Sequence, residues 1–503
     1  MNRTSQPNAP RHDSGLVLIA MMALIAALLG TGVAFMQWAT DENLQGSHAQ
    51  AAMQAYYCAQ AGIVEKGLPW LSAQQAGLLP NSEIALGNGD VADVGSYENV
   101  TVRPLTGVQG ESDNFSFSQK FVITSIGKVT VPYNENVDKK VIRKAILYLQ
   151  IRSFVDYMYL TNEETSLTFP GDVVRFFGRD TLWGRVHSND WIATQNVGGL
   201  PVFYDIVSTT KPSFRPGSPN PAGQFLGGPP KFDQPEVLLP ELADPIRQGA
   251  THTLTAIGEE WRCHIEGTQA RFYHWEEGTD FDSLNTPYIP VNCAPYACVF
   301  VDGRLEVKGQ MAAENCKLTI GCSQDIWLVD DVMLIGTNRT TGALPVNSSS
   351  MIGIVSERWI YIDNTMANGR EGCAGNYTNH ARCHIVITAA LVALRGSFQF
   401  HQMNDVGDPY NSPVLPDERG NIVLTGSVTQ WHRGYVHRSN GGGTGYNKVY
   451  HYDNRFKRER PPCFLGATDA DGRVFYDIVQ WGQASEDPVS VHARPDPLRV
   501  RYN

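Results

Sequence analysis

The chain has 503 residues, and 51 acidic against 40 basic side chains leave a formal net charge of −11 at pH 7. That balance argues against a globally basic nucleic-acid binder. Hydrophobic content of 42% excludes both global disorder and a multi-pass membrane protein, while 18% charged residues, 47 glycines and 29 prolines describe a large, turn-rich, β-rich body. The length suits two to four domains or one elongated one.

The N-terminus carries the first element. No charged side chain occurs between Ser14 and Thr40, and Leu16 to Met36 is apolar apart from Gly30, Thr31 and Gly32. As a helix that run spans roughly 30 Å, about one bilayer core. Arg3 and Arg11 precede it and Asp41 and Glu42 follow, so the positive-inside bias places the N-terminus in the cytoplasm and the rest outside. A cleaved secretory signal has an apolar region of about 7–15 residues ending at a small-x-small site. This run is longer and has no clean site of that kind. Alanine-rich sequence without proline continues from Thr40, and Pro69 supplies a stop. The spacing therefore predicts one helix of about 53 residues, ~80 Å long. Ala52, Ala55, Tyr56, Ala59 and Ile63 share one face suited to packing on a globular body, and Gly46 marks a weak point.

This arrangement resembles the type IV pilin and pseudopilin family. A short polar leader ends in Gly15, directly before an apolar helix that begins at Leu16. The half-lipid, half-amphipathic helix has the family's length. The phrase from Ala55 to Gly62 (AYYCAQAG) looks like a signature of the PilX-type minor pilins. The resemblance implies cleavage by prepilin peptidase between Gly15 and Leu16 and a membrane anchor from Leu16 to Met36. Its implied partners are other pilin-like subunits, through the helix. Major pilins carry a glutamate at the fifth mature position; here it is Ala20, which favours a minor or non-standard subunit.

Behind the helix (16–69), residues 70–155 read as a small pilin-like sheet. Strand patterns fall at 99–102, 121–129 and 141–151. Residues 156–465 form the head. It holds a proline-rich insertion at 211–246, with nine prolines between Pro212 and Pro245. From about Ala297, short β-rich phrases recur between Gly, Asp and Asn turns. They fit a right-handed parallel β-helix, with an antiparallel sandwich as the competing architecture. Gly184-Arg185-Val186-His187-Ser188-Asn189 and the phrase from Gly426 to Gly434 are similar to signatures of an uncharacterised pilin-associated domain, which supports the β-helix by analogy. Residues 466–503 remain as a C-terminal extension. The expected fold is α+β, mainly β: a long transmembrane and amphipathic helix, a small mixed sheet, then a β-helix-like head.

Eight of the nine cysteines lie beyond residue 260: Cys263, Cys293, Cys298, Cys316, Cys322, Cys373, Cys383 and Cys463. An even set in an external region points to disulfides. The simplest local pairs are 293–298, 316–322 and 373–383, leaving 263 with 463, although eight cysteines allow 105 pairings. Cys58, on the helix, reads as a packing residue. Arg-Cys-His-Ile occurs at both 262–265 and 382–385, but adjacent Cys and His on a strand face opposite ways, which disfavours zinc. His187-Ser188-Asn189-Asp190 holds hydrolase-type residues but reads as a polar turn. The glycine run from Gly441 lacks the ending of a phosphate loop. Asp325, Asp330 and Asp331 are oxygen donors of the type calcium uses, and equally ordinary turn residues. C-terminal aromatics (Trp431, Tyr435, Tyr446, Tyr450, Tyr452, Phe456, Tyr476, Trp481) fill a core or stack on a glycan. The basic run Arg455, Lys457, Arg458, Arg460 reads as a solvated loop, or as a contact for an acidic partner.

The sequence thus leads to a membrane-anchored structural or adhesive subunit, with no catalytic residues, metal or cofactor expected. Its head decorates or caps a pilus-like or secretion pseudopilus filament. Its location is a single pass of the inner membrane, then the periplasm, cell surface or an extracellular filament. Its partners are pilin-like subunits, prepilin peptidase, the membrane and a surface glycan, with no nucleic acid. The rival is a tethered β-helical enzyme or binding module acting on polysaccharide, which would need acidic or basic groups converging in one groove.

Overall fold

The structure is a computed structural model that describes residues 14–74, 82–105, 120–134, 137–178, 180–218, 224–256, 258–365, 367–369, 384–401, 418–438, 444–457, 459–468 and 473–484. Leader residues 1–13, Cys373, Cys383, residues 441–443 and Arg458 lie outside them.

One α-helix runs Ser14–Gly62 without a break at Gly46. A single π turn, Ile63–Gly67, links it to a last helical stretch, Leu68–Ser72. The helical path therefore passes Pro69, which the sequence suggested as its end. Pro69 sits in the first turn after the π turn, where a missing N–H is tolerated.

The two halves of this helix differ in what they touch. Every large apolar side chain from Val17 to Met36 is exposed, and an 18-residue window here has mean hydropathy 2.4. Length and composition suit a membrane anchor or a signal sequence. In the second half, Ala51, Ala55, Cys58, Ala59 and Ile63 are sealed against a sheet. Small residues let the helix approach closely. A Cβ on Gly127 would lie 1.8 Å from the Ala55 carbonyl oxygen and 2.4 Å from the Ala59 nitrogen.

That sheet is antiparallel and ordered Ile84–Val91, Gly95–Pro104, Lys120–Asn134, Val137–Ile151, Tyr476–Ala484. The middle three strands contain the predicted patterns. The last lies in the segment read as a C-terminal extension, so the chain returns to the helix-bearing sheet after building the head.

Among the described residues the head is a curled sheet of 21 strands, mostly in two parallel ladders. In spatial order the first takes His252–Thr255, Ala297–Asp302, Lys317–Cys322, Met351–Ser356, Ala390–Ala393, the end of Glu418–His432, Tyr159–Glu163, Val186–Ser188 and Val207–Thr209. The second takes Glu259–Gly267, Leu305–Met311 and Ile326–Leu334. Ile360–Ile362 and Ile385–Ile387 follow on that strand, and Phe398–Phe400 pairs with the former. The start of Glu418–His432, Thr444–Tyr452, Thr181–Trp183 and Val202–Phe203 complete it. A hairpin, Gln269–Glu276 with Tyr288–Asn292, adds antiparallel pairing on Glu259–Gly267, and the sheet is mixed.

Spatial order is not chain order. The chain enters mid-stack at Tyr159, winds to one end, then returns to the far end at His252 before winding back. The proline-rich segment makes that return. Its Val237, Leu239, Ala243 and Ile246 pack on the outer face of the first ladder, and its prolines need no ladder donors. The join between late and early strands is tied by buried charge. Arg433 pairs with Glu164 at 2.7 Å and Lys448 with Asp180 at 2.9 Å, with Arg433, Glu164 and Asp180 buried and Lys448 half-buried, and Arg433 lies 3.5 Å over the Phe176 ring.

Burial separates the ladders. Inward side chains of both fill a common core. The first ladder is also covered outside, so its strands read as continuous apolar runs. The second alternates buried and outward residues over strands such as Glu259–Gly267, and although Met333, Val386 and Val423 are covered outside, more of its outer face is open.

Candidate functional site: an aromatic groove on the second ladder

Leu424, Tyr450, Leu182 and Phe203 are stacked in register and buried in the core. The residue after each faces out. These are Thr425, His451, Trp183 and Tyr204, stacked at the ~4.8 Å strand spacing. Trp183 and Tyr204 lie face to face at 7°, with ring centroids 3.4 Å apart. The His451 ring centre is 6.0 Å from Trp183, which is 43% exposed. Burial lowers the His451 pKa, which favours the neutral ring.

This column floors a groove of ≈ 1010 Å³, walled by residues 340–345, 347 and 348 and rimmed by Asp205, Asp453, Asn454, Arg455 and Lys457. The walls are fixed from within. Thr425 Oγ1 donates to the Gly342 carbonyl at 2.6 Å. Arg455 donates to the Ser348 carbonyl and hydroxyl (3.2 and 2.9 Å) and the Ser350 carbonyl (2.8 Å), and its Nε and Nη2 hold Asp453 at 2.6–3.1 Å. The Asp453 carboxylate is thus occupied, whereas Asp205 is half-buried and Lys457 exposed. The open edge of a ring stack with a polar rim suits a ligand that has an apolar face and a hydroxyl-bearing edge.

Trp183, Tyr204 and His451 were not singled out from the sequence. The signal was there as Leu182-Trp183, Phe203-Tyr204 and Tyr450-His451, each an inward apolar residue followed by an outward ring, but stacking them requires the strand order. Of the aromatics that were singled out, Tyr446, Tyr450 and Phe456 are buried and Trp481 is 36% exposed. Tyr452 lines the groove.

The described cysteines are free thiols, and the pairings 293–298, 316–322 and 263–463 do not meet, while 373–383 lies outside the described residues. Cys293 faces the inner core and Cys298 the outer layer. Cys316 and Cys322 are separated by the extended strand Lys317–Cys322, about 20 Å long, well beyond disulfide reach. Cys263 lies in the inner core while Cys463 packs on the outer layer. Cys58 is buried in the helix–sheet contact.

The remaining candidates serve the fold. His187 is buried between Ser208 Oγ at 2.9 Å and Asn189 Oδ1 at 3.1 Å, and burial pushes its pKa down to about 4. Asn189 clamps the proline-rich segment, donating to the Val237 carbonyl at 2.7 Å and accepting from its N–H at 3.0 Å. Asp331 accepts from the Val386 N–H at 2.7 Å and pairs with Arg339. Cys263 is buried and His264 turns outward, as alternation requires. His384 accepts from the Asn421 N–H at 2.7 Å. No group of three or more metal-type ligands occurs among the described residues. In the basic run, Arg455 is tied to Asp453, and Arg460 is buried, its pKa pushed down to about 10.

No protein family, curated protein or solved structure matches this chain.

Proposed function

We propose that the chain is a pilin-like, membrane-anchored adhesive subunit that binds glycan through its head. One observation carries the anchor: residues 17–36 leave every large apolar side chain open while the second half of the same helix is sealed on a sheet. A surface of that size calls for lipid or for neighbouring helices. In this reading prepilin peptidase cuts after Gly15, Leu16 to Met36 holds the chain in the inner membrane, and the helix then packs with other pilin-like helices. The head is a right-handed parallel β-helix, a reading supported by the parallel register of both ladders. It stands in the periplasm or on the cell surface, decorating or capping a filament.

The stacked rings support the glycan. A sugar ring rests its C–H groups against the open edge of the Trp183–Tyr204 stack and turns its hydroxyls toward the rim. The rival reading, an enzyme that cleaves polysaccharide, requires a free acid opposite a free base. Asp205 and Lys457 are the charged rim groups it would use, because Asp453 is held by Arg455.

The test is a polysaccharide panel against the detergent-solubilised full chain, with reducing ends assayed in parallel. Saturable binding without new reducing ends is expected. Trp183→Ala weakens it about tenfold or more, the loss of ~1.4 kcal/mol or more at an aromatic anchor. Release of reducing ends replaces binding with catalysis, and no binding to any polysaccharide overturns the glycan.

A further inference from the structure

The outer layer of the first ladder brings together two cysteines that are distant in sequence. Cys298 lies on Ala297–Asp302, whose alternate residues Ala297, Val299 and Val301 enter the inner core. Cys298 and Phe300 therefore face outward, under the helix Asp244–Gly249. Cys463 follows two prolines and has φ 53°, a left-handed conformation that turns the chain back. Both thiols rest on the same helix. Cys298 Sγ donates to the Ile246 carbonyl at 3.7 Å, and Cys463 Sγ lies 3.3 Å from the Gly249 carbonyl oxygen. Ile246 and Gly249 lie about one helical turn apart on the same helix, which brings the two thiols side by side. Gly249 makes room for this, because a Cβ there would lie 2.6 Å from Cys463 Sγ.

The pair is asymmetric. Cys298 is fully buried, whereas Cys463 is half-buried and reachable from solvent. The hydrogen bond to Cys298 is the main cause that holds the Cys463 pKa below the ordinary thiol value. Nearby Arg460 adds to that effect, and burial acts against it. Cys298 is pushed the other way, first by the same hydrogen bond and then by burial. An open thiol whose pKa is lowered, beside a closed one whose pKa is raised, is the arrangement of an attacking and a resolving cysteine.

We propose that Cys298 and Cys463 form a redox couple whose disulfide fastens the C-terminal segment to the first ladder. The oxidant is a disulfide, RSSR. The Cys463 thiolate bonds to one sulfur of RSSR, and the other sulfur leaves as RS⁻ and takes a proton. Cys298 then gives up its proton, its sulfur bonds to Cys463, and the second RS⁻ leaves and is protonated. Two protein thiols become one disulfide, and RSSR becomes two RSH. The segment so fixed bridges the small sheet and the head. Ser153 Oγ donates to the Leu465 carbonyl at 2.6 Å, and the Leu238 N–H donates to the Thr468 carbonyl at 2.7 Å. Closing so long a loop restricts the unfolded chain strongly.

The test uses the reduced full chain in detergent, treated with oxidised glutathione, alkylated under denaturing conditions and mapped by mass spectrometry. The expected result is loss of two free thiols and one crosslinked peptide joining Cys298 to Cys463. In Cys298→Ser, Cys463 keeps glutathione as a stable mixed disulfide; in Cys463→Ser, Cys298 takes none. Wild-type protein that keeps both thiols free, or joins either to another cysteine, overturns the proposal. So does Cys298 that takes glutathione in Cys463→Ser as readily as Cys463 does in Cys298→Ser.

Discussion

An imidazole sealed among hydrogen-bond partners resists protonation, and His187 is such a ring. Burial is the main cause of its low pKa of about 4, and Arg152 and Arg185 add repulsion, while the bond to Asn189 opposes them. In the unfolded chain the ring titrates near 6.5. Its stabilising contribution is therefore complete above pH 6.5 and is lost as pH falls toward 4. Asp156 acts in the opposite sense. Burial raises it to about 6, against a backbone hydrogen bond and two arginines, so its contribution is complete below about pH 4 and lost as pH rises through 6. The two nearly offset each other between pH 4 and 6, and wild-type stability alone hides both. Comparison with His187→Gln separates them. The stability of wild type relative to this variant falls by about 3 kcal/mol from pH 7 to pH 4, read by denaturant unfolding of the detergent-solubilised chain. A gap that is flat with pH shows that the ring is protonated at no cost in the fold.

At the scale of elements, sequence legibility follows burial. Strands of the first ladder, covered on both faces, stand out as apolar runs such as Cys298-Val299-Phe300-Val301 and Met351-Ile352-Gly353-Ile354-Val355. Shorter strands such as Val202–Phe203 and Val207–Thr209 give little pattern of their own and are defined by neighbours in the stack. The proline-rich segment was legible as an excursion, but not as the return path that lets early strands stack on late ones. Tyr476–Ala484 was missed because it pairs with a strand more than three hundred residues earlier, at Val137–Ile151. The helix–sheet contact was legible from its alanines, and its tightest point is Gly127. Gly127→Ala drives a Cβ into the helix backbone at Ala55 and Ala59. The variant loses about 1–3 kcal/mol in denaturant unfolding, the usual cost of overpacking. Gly32→Ala, where nothing lies within 4 Å, serves as the control and leaves stability unchanged or slightly raised. Equal behaviour of the two variants shows that the helix is not seated closely on the sheet.

For the whole molecule, the question is how the apolar half-helix is used. The head returns to the small sheet through Tyr476–Ala484, and the helix is seated on that sheet, so head and helix form one connected unit. Loss of the helix would expose the apolar face that now covers Ala59, Ile63 and Leu71, at ~25 cal/mol per Å² of apolar surface uncovered. A removed signal that ended just beyond residue 36 would spare that contact but discard the lipid-grade half. A cut after Gly15 keeps both halves and frees the amine of Leu16 at the first turn of the helix, where backbone N–H groups have no partner within the helix. Under the proposed pilin-like function, Ala20 in place of the glutamate that would neutralise a neighbour's amine would make the mature chain an occasional filament subunit. N-terminal mass spectrometry of the chain, expressed with and without prepilin peptidase, decides among these outcomes. The expected mature protein starts at Leu16, stays in the membrane fraction, and appears only with the peptidase. A chain that keeps Met1 in the presence of the peptidase removes the pilin reading but leaves an anchor, and a new N-terminus beyond Met36 removes the anchor as well.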